Sequence, residues 1–207
     1  VKTAEKSPAK SQTKPKKGGK PAWVDGSDPD YPEREYLCGV GFGPTRSSSE
    51  NGAFAALSKI FVAHVAAVSR DFQALYTKTG QKSLEIGSYE SVTEVSTQSV
   101  LRGVRIYDNW ESKERMVYTL ACIERGPAAV ALREEIAEKD RRVAKQLKRA
   151  QKTDDNLKRI KALSRALRAL IEREALNSQL RIIDPDGIGE PSRFNFADIE
   201  AALEGAV

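Results

Sequence analysis

Residues 39–76 read GVGFGPTRSSSENGAFAALSKIFVAHVAAVSRDFQALY, a short apolar strand, a glycine-rich turn and one long amphipathic helix. Its apolar residues recur as Ala53, Leu57, Ile60, Phe61, Val65, Val68, Phe72 and Leu75, the three-and-four spacing that paints one helix face. Such a face needs a sheet to cover. Ser47 stands three residues before Glu50, the spacing of a capping box, which puts the helix start near Ser48. Running to Tyr76, it would span roughly 40 Å at 1.5 Å per residue. The glycines Gly39, Gly41 and Gly43 lack the spacing of a dinucleotide fingerprint, and no Gly-Lys-Ser/Thr follows them. They read instead as positions where a strand and a helix pass close together.

Outward from this stretch, residues 1–21 are Lys, Pro, Ser, Thr and Gly with almost nothing to bury, the composition of a disordered tether. Trp23 and Val24 mark the entry to folded structure, an Asp/Pro/Gly-rich loop follows through Pro32, and a strand is expected over 35–42. Beyond the helix, residues 84–100 alternate loosely and suggest a strand followed by a short helix. The stretches 101–110 and 116–124 are rich in Val, Ile, Tyr and Trp and read as strands joined by a hairpin turn.

Pro127 then suits the first turn of a helix over 128–151, Thr153-Asp154-Asp155 forms a capping turn, and a second helix runs over about 155–178. Leu180–Ile183 looks like a final strand and Asp184-Pro185-Asp186-Gly187 like a turn, with Asn195 capping a short helix through Leu203. The expected class is α+β: a small β-α-β-β sheet domain covered by one long helix, followed by a projecting antiparallel helical hairpin. The expected units are a tether (1–21), the α+β domain (22–125), the basic hairpin arm (126–179) and a C-terminal strand, turn and helix (180–207).

Charge is unevenly placed. Residues 1–20 carry seven Lys and one Glu, net +6, and residues 139–168 carry twelve Lys or Arg against three Asp, net +9; with a total of +5, the remainder is −10. An acidic body with two basic appendages suits anionic surfaces or the body of a neighbouring copy, although a solvated tail and helix face would show the same composition. No apolar run approaches the roughly 20 residues of a membrane-spanning helix. The chain starts at Val1, as after removal of an export signal or after trimming.

Chemistry-bearing residues are few. His64, the only histidine, lies on the apolar helix stripe without a second ligand or a nucleophile and reads as a packing residue. Cys38 and Cys122 sit in expected strands; they pair if the fold brings their Cα atoms within about 7 Å in an oxidising compartment, and are small buried thiols otherwise. The run Asp184 to Glu190 lacks the ligand spacing of a calcium loop and reads as a β-turn. Basic helices suit nucleic acid, but no recognition motif or stacking strip accompanies them, so nucleic acid is not an expected partner. No acid, base and nucleophile set can be assembled, so no catalytic residue, cofactor or metal is expected. The residues expected to carry interactions are Lys145, Lys148, Arg149 and Lys152 on the arm, and Phe194, Phe196, Ile199 and Leu203 as an apolar docking element.

The segments Pro21-Ala22-Trp23-Val24 and Tyr36-Leu37-Cys38-Gly39-Val40-Gly41-Phe42-Gly43, with the alanine-rich helix through Ser69, resemble the LPP-twenty family of bacterial envelope lipoproteins. The stretches Leu101 to Trp110 and Val117 to Ala121 fit the second half of that domain, so the resemblance covers about residues 21–125. It implies an α+β domain, a signal peptide and usually a lipidated cysteine holding the protein to the outer membrane. No cysteine stands at the start of this sequence, so lipidation would concern residues upstream of Val1. Some members, including flagellar basal-disk lipoproteins, assemble into rings or disks. The implied role is a non-enzymatic scaffold on the periplasmic side of the outer membrane or at the cell surface, partnered by further copies or other envelope proteins. The alternative is a module that grips an anionic envelope polymer or lipid through its arm.

Overall fold

The computed structural model describes residues 19–78 and 103–206, with the backbone alone for 64–78. Three strands, β1 (Tyr36–Gly43), β2 (Arg105–Glu111) and β3 (Val117–Glu124), form an antiparallel sheet in the order β1-β3-β2. Helix α1 (Arg46–Lys78) lies across one face. Side chains alternate across a strand, so Leu37, Gly39, Gly41 and Gly43 of β1 face α1 while Tyr36, Cys38, Val40 and Phe42 face away. The glycines act as expected. A Cβ on Gly41 would lie 2.1 Å from the Ala53 amide nitrogen and 2.2 Å from the Ser49 carbonyl oxygen, so only glycine permits this approach. Beside that contact, Leu57, Ala53 and Ala121 are fully buried, and the Ser49 and Thr119 hydroxyls hydrogen-bond at 2.7 Å.

The helix start departs from expectation. Thr45 rather than Ser47 makes the cap: the Ser48 amide donates to Thr45 Oγ1 and the Thr45 amide to Ser48 Oγ, each at 3.2 Å. Two hydroxyl side chains thus make the reciprocal box usually made by a hydroxyl and a carboxylate. Glu50 pairs instead with Arg46 at 2.7 Å, one turn back. The segment 84–100 and the His64 side chain lie outside what is described.

β3 runs directly into α2 (Arg125–Gln151), with Pro127 in its first turn as expected, and α3 (Asn156–Ile183) returns antiparallel. The expected strand at Leu180–Ile183 is instead the end of α3. Leu176, Leu180 and Ile183 continue the helical spacing and are buried against Phe61, Ile123, Leu132 and Ile136, which roots the hairpin in the sheet domain. The helix stops where Pro185 forces Asp184 into an extended conformation, φ −69° and ψ 120°.

Farther along the hairpin, Val143, Leu163, Leu167 and Leu170 form a second core, closed by Ile199, Leu203 and Ala206. Ile199 and Leu203 belong to α4 (Phe196–Glu204), capped as expected by Asn195, whose Oδ1 accepts from the Ala197 amide at 2.9 Å. Asp184 to Gly187 forms the expected turn, with the Gly187 amide on the Asp184 carbonyl at 3.0 Å and φ +68° at Gly187.

Candidate interaction surfaces

The hairpin tip is a cationic surface. Asp155 caps α3 by accepting from the Lys158 amide at 3.1 Å, and that bond, with the Lys158 ammonium, holds its carboxyl below the usual range. Arg141 and Arg142 both bond to Glu138, at 2.8 and 3.2 Å, which lowers that carboxyl too, and Arg168 pairs with Glu172 at 3.3 Å. Lys145, Lys148, Arg149 and Lys152 are all exposed and make no ion pair with a described residue. Leu157 projects among these charges with 79% of its surface exposed.

The expected docking element divides. Ile199 and Leu203 are 3% and 8% exposed against their own hairpin, so the partner they dock onto in this fold is the arm itself. Phe194 and Phe196 stay half-buried and line an open cleft of about 380 Å³ with Leu170, Glu174 and Arg193. The Arg193 guanidinium sits 5.8 Å from the Phe194 ring centre.

Two arginines that sequence reasoning did not single out hold these parts together. Arg173, 1% exposed, reaches Asp140 at 3.3 Å, Glu174 at 2.6 Å and the Glu190 carbonyl at 2.7 Å, tying the loop before α4 to both hairpin helices. Arg125 stands at the junction of sheet and arm. It donates through Nε to the Glu33 carbonyl at 2.6 Å, and through Nη1 to the Ile182 and Ile183 carbonyls at 2.6 and 2.9 Å. One guanidinium therefore satisfies the C-terminal carbonyls of α3 and fixes the loop before β1. Neither position carries a motif; each is an arginine in a basic sequence until the backbone is known.

That loop is the acidic counterpart of the tip. Residues 25–35 contain Asp25, Asp28, Asp30, Glu33 and Glu35 against Arg34 alone, and it meets the hairpin at its base through Arg125. From Arg125 to the far end of α2 at Gln151 is about 39 Å at 1.5 Å per residue. The two charge clusters therefore lie at opposite ends.

The sheet face turned away from α1 is aromatic. Tyr31, Tyr36 and Tyr107 meet edge to face with ring centres 5.5 to 5.7 Å apart, while Phe42 stacks on Tyr118 at 5.9 Å and Tyr118 meets Trp110 at a tilt, ring centres 5.3 Å apart. Burial, then Asp108, Asp28 and Asp30, raise the Tyr31 phenol; burial and the 2.7 Å bond to Glu124 raise that of Tyr107. Cys38 and Cys122 are register partners on this face, Cα atoms 4.1 Å apart, and are joined as a disulfide. Among the described residues, no cluster of three or more His, Cys, Asp and Glu is placed to hold a metal ion.

By fold this is an α+β domain with a helical hairpin and a short capping helix appended. Residues 21–124 match the family described as LPP20 lipoprotein, and the chain belongs to that family. Comparison with curated proteins and with solved structures gives no match. The match bears out the resemblance read from the strand, glycine and helix motifs, and it places the chain among envelope-associated lipoproteins. The hairpin and α4 lie beyond the matched residues. No helix among the described residues is long and apolar enough to cross a membrane.

Proposed function

We propose that the protein is a non-enzymatic scaffold of the bacterial envelope, on the periplasmic side of the outer membrane or at the cell surface, and that copies associate head to tail. In this reading the basic tip of one arm meets the acidic loop of the next copy. The observation that carries it is the separation of charge: four exposed cations without described partners at one end of a rigid hairpin, five carboxylates at the other, about 39 Å away. Charges so far apart cannot neutralise each other within one chain, since screening removes their attraction beyond about 8 to 10 Å at physiological salt. A contact between unlike patches is heterologous, so repetition gives a ring or an open filament.

Exposed ion pairs contribute roughly 0 to 1 kcal/mol each, so the contact is salt-sensitive and needs apolar support from Leu157 and the half-buried Phe194 and Phe196. Sedimentation velocity at low and high salt tests this. Assembly at low salt should be lost on reversing Lys145, Lys148, Arg149 and Lys152 to Glu, and assembly unaffected by that reversal would refute the reading. Leu157, exposed among lysines, favours a second reading in which the tip rests on anionic lipid. There the same reversal would abolish sedimentation with anionic vesicles while the protein stayed monomeric throughout.

A further inference from the structure

The aromatic sheet face combines ring surfaces with negative charge. Tyr31, Tyr36 and Tyr107 are half-buried, leaving part of each ring open, and Phe42 at the other end of β1 is 65% exposed. Asp28 and Asp30 stand in the loop carrying Tyr31, and Asp108 in the strand carrying Tyr107. A tyrosine face attracts an ammonium, more so where carboxylates surround it, and open aromatic strips also receive extended proline-bearing peptides.

We propose that this face is the receptor for the lysine- and proline-bearing segment of the chain itself, residues 6–17, KSPAKSQTKPKK. Its charge is complementary: five Lys and no acidic residue, against Asp28, Asp30 and Asp108. Its spacing fits. Pro8 and Pro15 would stand about 22 Å apart in a polyproline helix rising 3.1 Å per residue, and Tyr36 to Phe42 spans about 20 Å of strand at 3.4 Å per residue. Its point of entry fits as well. Lys20 pairs with Asp25 in the same loop, and Trp23 packs in one cluster with Tyr31, Tyr36 and Tyr107, donating to Asp108 Oδ2 at 3.4 Å. Lys17 is three residues from Lys20, about 10 Å of extended chain, so it reaches this face in its own copy; the segment of a neighbouring copy offers the same chemistry. The inference does not rest on association through the arm.

The test titrates a fluorescently labelled peptide of residues 1–20 into the full chain bearing Lys6, Lys10, Lys14, Lys16 and Lys17→Ser, so that its own segment does not compete. Saturable binding below millimolar is expected, weakened at least fivefold by Asp28→Asn with Asp30→Asn. The unsubstituted chain should bind the peptide at least fivefold more weakly, because its own segment occupies the face. Asn at 28 keeps the oxygen that accepts from the Asp30 amide at 2.9 Å, and thermal melts verify that the variants fold. No saturable binding up to millimolar, an affinity indifferent to the two aspartates, or equal binding by the unsubstituted chain would overturn the proposal.

Discussion

Replacing Gly41 by Ala tests the contact on which the sheet domain is built. The added methyl would meet three backbone atoms of α1: the Ala53 nitrogen at 2.1 Å, the Ser49 oxygen at 2.2 Å and the Gly52 carbon at 2.5 Å. None can rotate away, as the end of a side chain could. Restoring the nearest contact to about 3.4 Å requires helix and strand to separate by about 1.3 Å. Such a shift would stretch the 2.7 Å bond between Ser49 and Thr119 to about 4 Å and lose it, at about 0.5 to 1.5 kcal/mol, while Ser49 keeps the Arg46 carbonyl and Thr119 keeps Asn109 Oδ1. It would also loosen Ala53, Leu57 and Ala121, and overpacking of this kind costs about 1 to 3 kcal/mol.

The expected loss is therefore about 1.5 to 4.5 kcal/mol of a total of roughly 5 to 15, and about 3 to 18 °C in melting temperature at 2 to 4 °C per kcal/mol. Urea denaturation followed by circular dichroism reads it. Gly205→Ala is the control: φ there is −70° and a methyl meets only the Ala201 carbonyl oxygen at an ordinary 3.5 Å, so stability should hold or rise slightly. A Gly41→Ala protein within about 1 kcal/mol of wild type would refute the close-contact argument.

Arg125→Met keeps the aliphatic stem but leaves the Glu33, Ile182 and Ile183 carbonyls without their donor; a loss of about 2 to 4 kcal/mol is expected in urea melts, with faster amide exchange at the end of α3. Reducing the Cys38–Cys122 bond, which closes a sequence separation of 84 residues, should lower stability by about 4.5 kcal/mol on the chain-entropy estimate, and identical urea midpoints with and without reductant would contradict it. Tyr107 has a folded pKa above its ordinary 10, so its contribution is intact below pH 10 and falls as pH rises from there toward the folded value, because the unfolded chain gives up the proton first. Alkaline melts should show that loss in wild type and a shallower one in Tyr107→Phe.

Much of the fold was legible because it follows from periodicity. The stripe from Ala53 to Phe61, the alternating glycines and the two later strands each have one arrangement that buries their apolar side. The Asn195 cap was equally readable, being local chemistry. Leu180–Ile183 misled because four apolar residues fit a strand or a helix, and only burial against Phe61 and Ile123 decides between them. The basic tip was visible as composition. Arg125, Arg173 and the tyrosine face were not, since each depends on residues 50 to 90 positions apart or on carbonyl groups that no side-chain pattern reveals.

Association by tip and loop is tested most directly by mixing two variants. One carries Lys145, Lys148, Arg149 and Lys152→Glu at the tip; the other carries Asp30, Glu33 and Glu35→Lys at the base, which takes residues 25–35 from a net −4 to +2. Each alone presents like charges to its own copies and should sediment as a monomer at low salt. Mixed in equal amounts, they restore opposite charges at every contact, and larger species containing both variants should form and disperse in high salt. A mixture that remains monomeric while wild type assembles, or variants that assemble as well alone as together, would contradict the head-to-tail contact.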